Sequence, residues 1–321
     1  EMRPAEVFGD GVVAGRFDRD TGRFERCDVP CVYGAAPKNG GHVYIDAESV
    51  RRDLRCPLTK IVSLTMESEA IYARHKLTAA TFRSVDVLST TRLDSDVPAF
   101  YGDWWEYDFY SQLQPKTADA VAVAIISNCG PTERLEYLRA LAAAGLAVHS
   151  MGSCLNNHPR PPKHNWQSTK TDALRPYKFY LAFENSAVDD YVTEKFFQAL
   201  VAGAVPVVMG LENIADFAPA PNSFIHVSDF ASPAALAEYL KFLDANDDAY
   251  YEYLAWKREG VSEQFERLLA STTGIHIACR ICRWIKNVYD VELGEKTFEE
   301  AFPDLEPVLP GWNKTRTNHT H

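Results

Sequence analysis

The chain has 321 residues, of which 46% are apolar and 24% charged, and its formal net charge is -11. This length and apolar content exclude a disordered chain and fit one large or two ordinary domains. The negative charge disfavours general binding to nucleic-acid phosphates, and no apolar run approaches the roughly 18 residues that a membrane-spanning helix needs.

From residue 60 onward, short β-branched segments alternate with longer helical patterns, which is typical of βα units on a mostly parallel sheet. The almost continuous apolar run at 120–127 predicts a strand covered by helices on both faces. The predicted strands are residues 60–65, 85–88, 120–127, 146–149, 177–183, 205–209 and 223–227. The predicted helices are residues 67–82, 132–144, 193–202 and 234–243, and residues 156–172 are expected to form a loop. The pattern therefore predicts an α/β fold with a Rossmann-like unit over about residues 117–275.

Four of the seven cysteines form two close pairs at opposite ends of the chain. Cys27 and Cys31, with Cys279 and Cys282, fit either a tetrahedral zinc site or two disulfides that link the N-terminal segment to the C-terminal one. The Cys-x3-Cys spacing departs from the commonest zinc spacing and favours disulfides. The remaining cysteines are two further disulfide candidates, Cys129 and Cys154, and one that is left over, Cys56.

The most informative polar residues follow the predicted strand at 177–183. Glu184-Asn185-Ser186 is expected at the carboxyl edge of a parallel sheet, where open α/β folds bind ligands. The helix that begins near Thr193 carries Glu194 and Lys195 in its first turn, so its free N–H groups, its dipole and one ammonium converge there. This arrangement suits a diphosphate, and a capped helix with a surface charge pair is the alternative.

Three segments together resemble the donor-binding motif of the α1,3-fucosyltransferases, glycosyltransferase family 10. They are Phe183-Glu-Asn-Ser186, Asp190-Tyr-Val-Thr-Glu-Lys-Phe196 and Ala202-Gly-Ala-Val-Pro-Val-Val-Met-Gly210. The similarity extends from about Cys27 to Cys282 and so includes most of the chain.

The resemblance implies a GT-B type α/β protein with two Rossmann-like domains facing a cleft. Its domains would be an acceptor-side domain (1–115), a GDP-fucose-binding domain (116–290) and a returning segment with a polar tail (291–321). The implied reaction is inverting transfer of L-fucose from GDP-β-L-fucose, with no required metal and at most a stimulating effect of a divalent cation. Asp94-Ser-Asp96 has a spacing that can hold a metal-bound diphosphate, but a turn role is favoured.

The family pattern also assigns roles to single residues. Glu67, directly after the first predicted strand, is the expected catalytic base, with Glu69 as second choice; a helix cap is the alternative role of Glu67. Lys195 and Arg134 are expected to bind the diphosphate. Other expected donor-binding residues are Asn185, Tyr191 and Glu194, and, with a weaker match, Ser127 and Asn128.

Within the family, the motifs are most similar to plant-type enzymes that fucosylate the innermost GlcNAc of N-glycans. Glu67-Ser-Glu69 stands where Lewis-type enzymes usually have Glu-Ser-Pro. The expected partners are GDP-fucose and the N-glycan of a glycoprotein. The alternatives are a Lewis-type α1,3/4-fucosyltransferase acting on outer N-acetyllactosamine and a non-catalytic protein that binds glycans or sugar nucleotides.

Eukaryotic members of this family are usually type II membrane proteins of the Golgi. We therefore expect a catalytic domain in the Golgi lumen, attached to the membrane only through a stem or anchor outside this sequence. N-glycosylation sequons at Asn313 and Asn318 agree with a secretory compartment. The aromatic segment at 100–110 fits either a platform for sugar rings or internal packing.

Overall fold

The structure is a computed structural model of the chain. It describes residues 5–8, 17–18, 23–24, 27, 29, 31–33, 42–45, 60–68, 70, 85–103, 107–162, 166–272 and 275–302. The chain divides into two compact units, one formed by Glu1–Phe100 with Arg267–His321 and the other by Tyr101–Glu266.

The described part of the chain contains twelve β-strands and nine α-helices, and the two kinds of element alternate through most of the second unit. In chain order, the described strands are β1 (Ala5–Phe8), β2 (Phe17–Asp18), β3 (Arg23–Phe24), β4 (Cys31–Tyr33), β5 (His42–Ile45), β6 (Lys60–Leu64), β7 (Val87–Ser89), β8 (Ala122–Ala124), β9 (Val148–Ser150), β10 (Phe179–Phe183), β11 (Val205–Met209) and β12 (Ile225–His226). The described α-helices are α1 (Glu133–Ala143), α2 (Trp166–Leu174), α3 (Glu194–Ala202), α4 (Pro233–Ala245), α5 (Asp247–Glu252), α6 (Trp256–Glu259), α7 (Glu263–Thr272), α8 (Ile277–Glu292) and α9 (Phe298–Ala301). Such an order of elements is that of an α/β protein.

The first unit contains a sheet with the strand order β2-β3-β4-β1-β5-β6-β7. The strands from β4 to β7 pair in parallel, whereas β2 and β3 add an antiparallel ribbon next to β4. Without this ribbon, the parallel strands follow the order 2-1-3-4-5 of flavodoxin-like sheets. The first unit is therefore Rossmann-like, as predicted.

The long helix α8, which is followed only by the short α9 among the described helices, packs within the first unit. Its residues Ala278, Ile281, Cys282 and Ile285 recur at the spacing of one helix face, and they share a core cluster with residues of β6 and β7, including Val62 and Val87. Lys60, at the start of β6, also pairs with Glu292 at the end of α8. Because its apolar face packs against β6 and β7, α8 belongs to the first unit. The two units of the structure therefore differ from the domains predicted with boundaries at 115 and 290.

Disulfides are present, as the cysteine pattern predicts. Cys27 is bonded to Cys279, and Cys282 is also disulfide-bonded. Zinc ligation requires free thiolates, so the zinc alternative does not hold for these three residues. The side chain of Cys31 and all of Cys56 lie outside the described residues.

The second unit contains a fully parallel sheet with the order β12-β11-β10-β8-β9. In chain order this is again 2-1-3-4-5, and the order reverses between β8 and β10. Open α/β sheets bind ligands outside the carboxyl ends of the strands at such a topological switch point. The topology therefore predicts a ligand site at the residues that follow β8 and β10.

The second sheet is covered by helices because its strands are apolar on both faces. All five residues of β10 are buried. Leu135, Leu138 and Leu141 of α1 and Leu236 and Leu240 of α4 belong to the same core cluster. Thr193 caps the start of α3 with its side chain, and Gly203, with φ +67°, ends this helix.

The predicted strands after residue 59 and the predicted helices after residue 130 are confirmed, most with shorter bounds. The helix predicted at 67–82 falls mainly outside the described residues, and the loop predicted at 156–172 is wrong over residues 166–172, since α2 begins at Trp166. No described helix is long and apolar enough to cross a membrane.

Candidate active site

Arg134 joins the carboxyl ends of the two strands at the switch point of the second sheet. Its guanidinium donates to the carbonyl oxygens of Phe183 (3.1 Å), at the end of β10, and of Asn128 (2.6 Å), in the loop after β8. The residue is only 4% exposed. Burial lowers the pKa of Arg134, although nearby Glu184 opposes this shift. Its Nε has no hydrogen-bond partner among the described residues, so a cationic donor is left for an anion.

Glu184 holds the start of α3 to the end of β10. Its carboxylate accepts hydrogen bonds from the backbone N–H (2.9 Å) and the hydroxyl (2.8 Å) of Thr193, and from the ammonium of Lys195 (2.9 Å). The Glu184 side chain is 4% exposed. A residue that the sequence places only in a polar cluster is therefore the central acceptor of the site.

Lys195 and Glu194 lie in the first turn of α3, as predicted. Glu194 Oε1 is 3.6 Å from the Nζ atom of Lys195 and 3.0 Å from that of Lys170, which belongs to α2. Burial raises the pKa of Glu194, but the two lysines outweigh this effect and hold the pKa well below its usual range. Burial lowers the pKa of Lys195, but Glu184 and Glu194 outweigh it and the pKa is raised. Both groups are therefore charged at neutral pH.

We refer to Lys170, Glu194, Lys195, Glu184 and Arg134 as the charge cluster. Its ion pairs alternate in sign from Lys170 to Glu184. Three cations and two carboxylates leave one net positive charge, and the N-terminal end of α3 adds its free N–H groups and dipole. The cluster therefore suits an anionic ligand such as a diphosphate.

Buried polar atoms without partners occur beside the charge cluster. The hydroxyls of Tyr107 and Tyr180 and the side-chain oxygen of Asn185 have no hydrogen-bond partner within the described part of the chain. Burial raises the pKa of both tyrosines well above the usual range, so both are neutral donors. Since buried polar groups are normally hydrogen-bonded, these atoms fit a place that a polar ligand completes.

The loop between β10 and α3 is held in a strained conformation. Asp190 has φ +62°, which residues with a side chain rarely adopt. The Asn213 amide donates to the Asp190 carboxylate (2.7 Å), and its oxygen accepts from the Asp190 N–H (3.3 Å). The next residue, Tyr191, is 3% exposed, with its ring packed edge-on against Tyr101. Asn213 therefore positions the predicted donor-binding residue Tyr191 through Asp190.

Replacing Asn213 by alanine is expected to lower the free energy of unfolding by about 1–2 kcal/mol, because two hydrogen bonds to a strained residue are lost. Asp190→Gly is the matched control, since glycine adopts positive φ without strain, and it should cost less than Asn213→Ala. Urea unfolding measures both variants. Equal losses of unfolding free energy in the two variants would contradict the idea that Asn213 stabilises the strained backbone of Asp190.

Ser127 and Asn128 lie exposed in the loop after β8. The Ser127 hydroxyl accepts from the backbone N–H of Ser153 at 3.4 Å, and the Asn128 side chain accepts from the N–H of Gly130 at 3.0 Å. Arg134 holds the Asn128 carbonyl. Both predicted residues therefore lie at the same sheet edge as the charge cluster.

A disulfide fixes this edge of the sheet. Cys129, after β8, is bonded to Cys154, after β9. Gly152 lies against the backbone of Ile126 so closely that a Cβ atom would overlap it. The two loops are thus joined both covalently and by a contact that only glycine permits.

Glu67 lies in the first unit, after the end of β6. Its side chain is exposed, and its backbone N–H donates to the hydroxyl of Thr65 at 3.2 Å. Glu69 lies outside the described residues. Glu67 and the charge cluster therefore belong to different units of the chain.

Residues 114–299, more than half of the chain, match the sequence model of glycosyltransferase family 10 (fucosyltransferase), C-terminal part. The chain belongs to glycosyltransferase family 10.

Several proteins of similar sequence have longer chains than this one. A fucosyltransferase-like protein of Arabidopsis thaliana is 42% identical over 260 residues, which cover 81% of this chain and 48% of that protein. GDP-fucose protein O-fucosyltransferase 3 of Bos taurus is 43% identical over 159 residues, with coverage of 47% and 33%. The same enzyme of Mus musculus is 38% identical over 212 residues, with coverage of 63% and 41%. The chain spans about half or less of the length of these curated relatives.

Solved structures confirm the fold of the family 10 chain. A crystal structure of an α1,3-fucosyltransferase superposes with a TM-score of 0.52 at 17% identity, covering 86% of this chain and 92% of that one. A crystal structure of α1,3-fucosyltransferase with GDP-fucose gives a TM-score of 0.54 at 16% identity, with coverage of 90% and 91%. The predicted GT-B type α/β fold, with its two Rossmann-like domains, is therefore confirmed.

Two residues of the aromatic segment, Tyr101 and Phe109, pack inside the second unit, whereas Tyr110 is 59% exposed. Phe109 is buried, with its ring edge-on to those of Phe197 and Phe265. Tyr101 packs on Tyr191. Residues 104–106, and the sequons at Asn313 and Asn318, lie outside the described residues. Internal packing is thus the role of Phe109 and Tyr101.

Among the described residues, no group of three or more His, Cys, Asp and Glu side chains could hold a metal ion. Asp94 pairs with Arg92, and the Asp96 carboxylate accepts from the N–H of Leu88 at 2.7 Å. The turn role that the sequence favours for this triplet is confirmed.

Sequence reasoning missed one member of the charge cluster, Lys170, and two tyrosines beside it, Tyr107 and Tyr180. Tyr180 had a usable signal, because residues 180, 182 and 184 share one face of a strand and Glu184 ends that strand. Lys170 had none, since its helix follows a proline-rich polar stretch and its partner lies 24 positions away. Tyr107 belongs to the aromatic segment, whose spacing does not predict which ring reaches the site.

Proposed function

We propose that this chain transfers L-fucose from GDP-β-L-fucose to an acceptor hydroxyl with inversion at C1. The observation that carries this proposal is the charge cluster with its net positive charge, at the switch point of the second sheet and at the start of α3. Family membership supports the donor, and a relative solved with GDP-fucose has the same fold.

The donor is proposed to bind at the second unit. Arg134 and Lys195 are the cations for the diphosphate, whose negative charge grows as GDP leaves. Charge-assisted hydrogen bonds from these groups stabilise that leaving group without requiring a metal. Asn185, Tyr191 and Glu194 are proposed to contact the fucose and the nucleotide, and Ser127 and Asn128 to approach the diphosphate.

Glu67 is proposed as the general base. Inversion requires that the acceptor oxygen attack C1 from the face opposite GDP, through an oxocarbenium-like transition state of the kind known from glycoside hydrolysis. The Glu67 carboxylate is proposed to take the acceptor proton as the new bond forms. The exposed position of Glu67 after β6 leaves its carboxylate accessible.

Two acceptor classes have separate support. The motifs after Cys27 resemble plant-type enzymes, which favours α1,3 transfer to the innermost GlcNAc of an N-glycan. Relatives named GDP-fucose protein O-fucosyltransferase 3 favour instead a hydroxyl oxygen of a protein. The disulfides support an oxidising compartment such as the secretory pathway. We place the enzyme in the Golgi lumen.

A transfer assay with an acceptor panel tests the proposal. Radiolabelled GDP-fucose is incubated in EDTA with an N-glycopeptide of intact core, with N-acetyllactosamine, and with proteins that carry free side-chain hydroxyls. Fucose on the innermost GlcNAc, mapped by mass spectrometry, is the expected result. Product on serine or threonine would establish the second acceptor class, and product on lactosamine alone a Lewis-type enzyme.

No product on any acceptor, with GDP bound by the protein, would contradict fucosyl transfer and leave a glycan or sugar-nucleotide-binding protein. Restoration of product by Mg²⁺ or Mn²⁺ would contradict the metal-independent donor site. Fucosyltransferase activity measured in separated cell fractions tests the proposed location in the Golgi. Enrichment of this activity outside Golgi membranes would contradict that location.

A further inference from the structure

Lys170 is a lysine that the donor-site pattern does not include. It lies on α2, and its side chain is 6% exposed. Lysine is almost never fully buried unless it is paired, and here the Nζ atom donates to Glu194 Oε1 at 3.0 Å. Lys195 is 3.6 Å from the same oxygen. Glu194 thus lies between two ammonium groups and is closer to Lys170.

The two ammonium groups differ in their other contacts. Lys195 also contacts the Glu184 carboxylate (2.9 Å) and the Thr193 hydroxyl (2.7 Å) at the start of α3. Lys195 is therefore held at the helix end, where an anionic ligand is expected, while Glu194 is drawn toward α2. Without a second cation, Glu194 would have Lys195 as its nearest described cationic partner.

We propose that Lys170 is a positioning residue: it holds Glu194 closer to α2 than to Lys195, which weakens the Glu194–Lys195 ion pair and makes the Lys195 ammonium available to the diphosphate of the donor. The inference rests on the proposed function and extends it to a residue on another helix. Lys170 also supplies the net positive charge of the charge cluster, because without it two cations face two carboxylates.

Loss of the Lys170 charge is expected to weaken GDP binding through Glu194. Lys170→Met should raise the Kd for GDP by about tenfold, within the range of coupling between groups of one ion-pair network. In a Glu194→Gln background, position 194 has no carboxylate that could pair with Lys195 once the Lys170 charge is lost. There Lys170→Met should change the Kd by less than about threefold. Lys170→Arg should stay close to wild type because it keeps the charge.

Calorimetric titration of GDP into wild-type protein, the two single variants and the double variant tests this coupling. Lys178→Met is the matched control: its side chain is 13% exposed and pairs with Asp247, and it precedes β10 at the opposite end of the strand from Glu184. It should bind GDP as wild type does. If Lys170→Met fails to fold by circular dichroism, Lys170→Gln, which keeps a hydrogen-bond donor but no charge, takes its place.

The outcomes separate the two proposals. If Lys170→Met lowers the affinity equally with and without the Glu194→Gln substitution, or lowers it in neither case, the role of Lys170 is overturned and the donor assignment stays intact. A loss as large in Lys178→Met would also overturn it, since any buried lysine would then act alike. No binding of GDP by wild-type protein would overturn the proposed donor and, with it, the role of Lys170.

Discussion

Replacing Glu184 by glutamine should lower the free energy of unfolding by about 3 kcal/mol, because removal of one partner from a buried ion pair leaves the other charge uncompensated. The carboxylate accepts from the N–H and hydroxyl of Thr193 and from Lys195. An amide has one oxygen, and its NH₂ group would face the Lys195 ammonium, donor against donor. Chemical denaturation followed by circular dichroism measures the loss.

Glu238→Gln is the control for the loss of a glutamate charge in the same unit. Glu238 pairs with Lys241 at 2.9 Å, but its side chain is 74% exposed. Exposed ion pairs contribute little, so this variant should stay within about 0.5 kcal/mol of wild type. If Glu184→Gln is as stable as Glu238→Gln, Glu184 does not hold the start of α3 to the end of β10.

The second unit could be predicted in large part because its signals are local. The apolar run before Glu184, the Thr193 cap and Gly203 determine β10 and α3 with little help from the rest of the chain. The rule that strands of a parallel sheet end at one edge then places Arg134, Asn185 and Lys195 together. These residues do lie at one edge in the structure.

What the sequence could not predict depends on contacts between distant segments. The cysteine pattern predicts that Cys279 and Cys282 link to the N-terminal segment, yet the predicted domain boundary places the helix that carries them in the second domain. The i, i+3, i+4 pattern of this helix does not tell which sheet it covers. Lys170 is a further case, since a polar stretch with three prolines conceals the start of α2. The sequence places Glu184 in a polar cluster at the end of a strand. Only the structure shows that its carboxylate accepts hydrogen bonds from both Thr193 and Lys195.

Replacing Glu67 by glutamine should have the largest effect on turnover: kcat for fucosyl transfer is expected to fall by about 10²- to 10⁴-fold, the usual contribution of a general base. Glutamine keeps the size of the side chain but cannot accept the acceptor proton. The Kd for GDP should stay unchanged, because the proposed donor-binding residues belong to the second unit and Glu67 to the first. Single-turnover transfer and calorimetric titration of GDP give the two quantities separately.

Glu69→Gln is the control, since it removes a carboxylate two positions away. It should retain most of the transfer activity. Should Glu69→Gln abolish transfer while Glu67→Gln retains it, the base is Glu69. If both variants transfer fucose at near wild-type rates, no carboxylate of this segment is the base, and the proton must leave through another group or through the acceptor. A fall in GDP affinity in Glu67→Gln would show that Glu67 contributes to donor binding, so its effect on kcat could no longer be assigned to proton transfer alone.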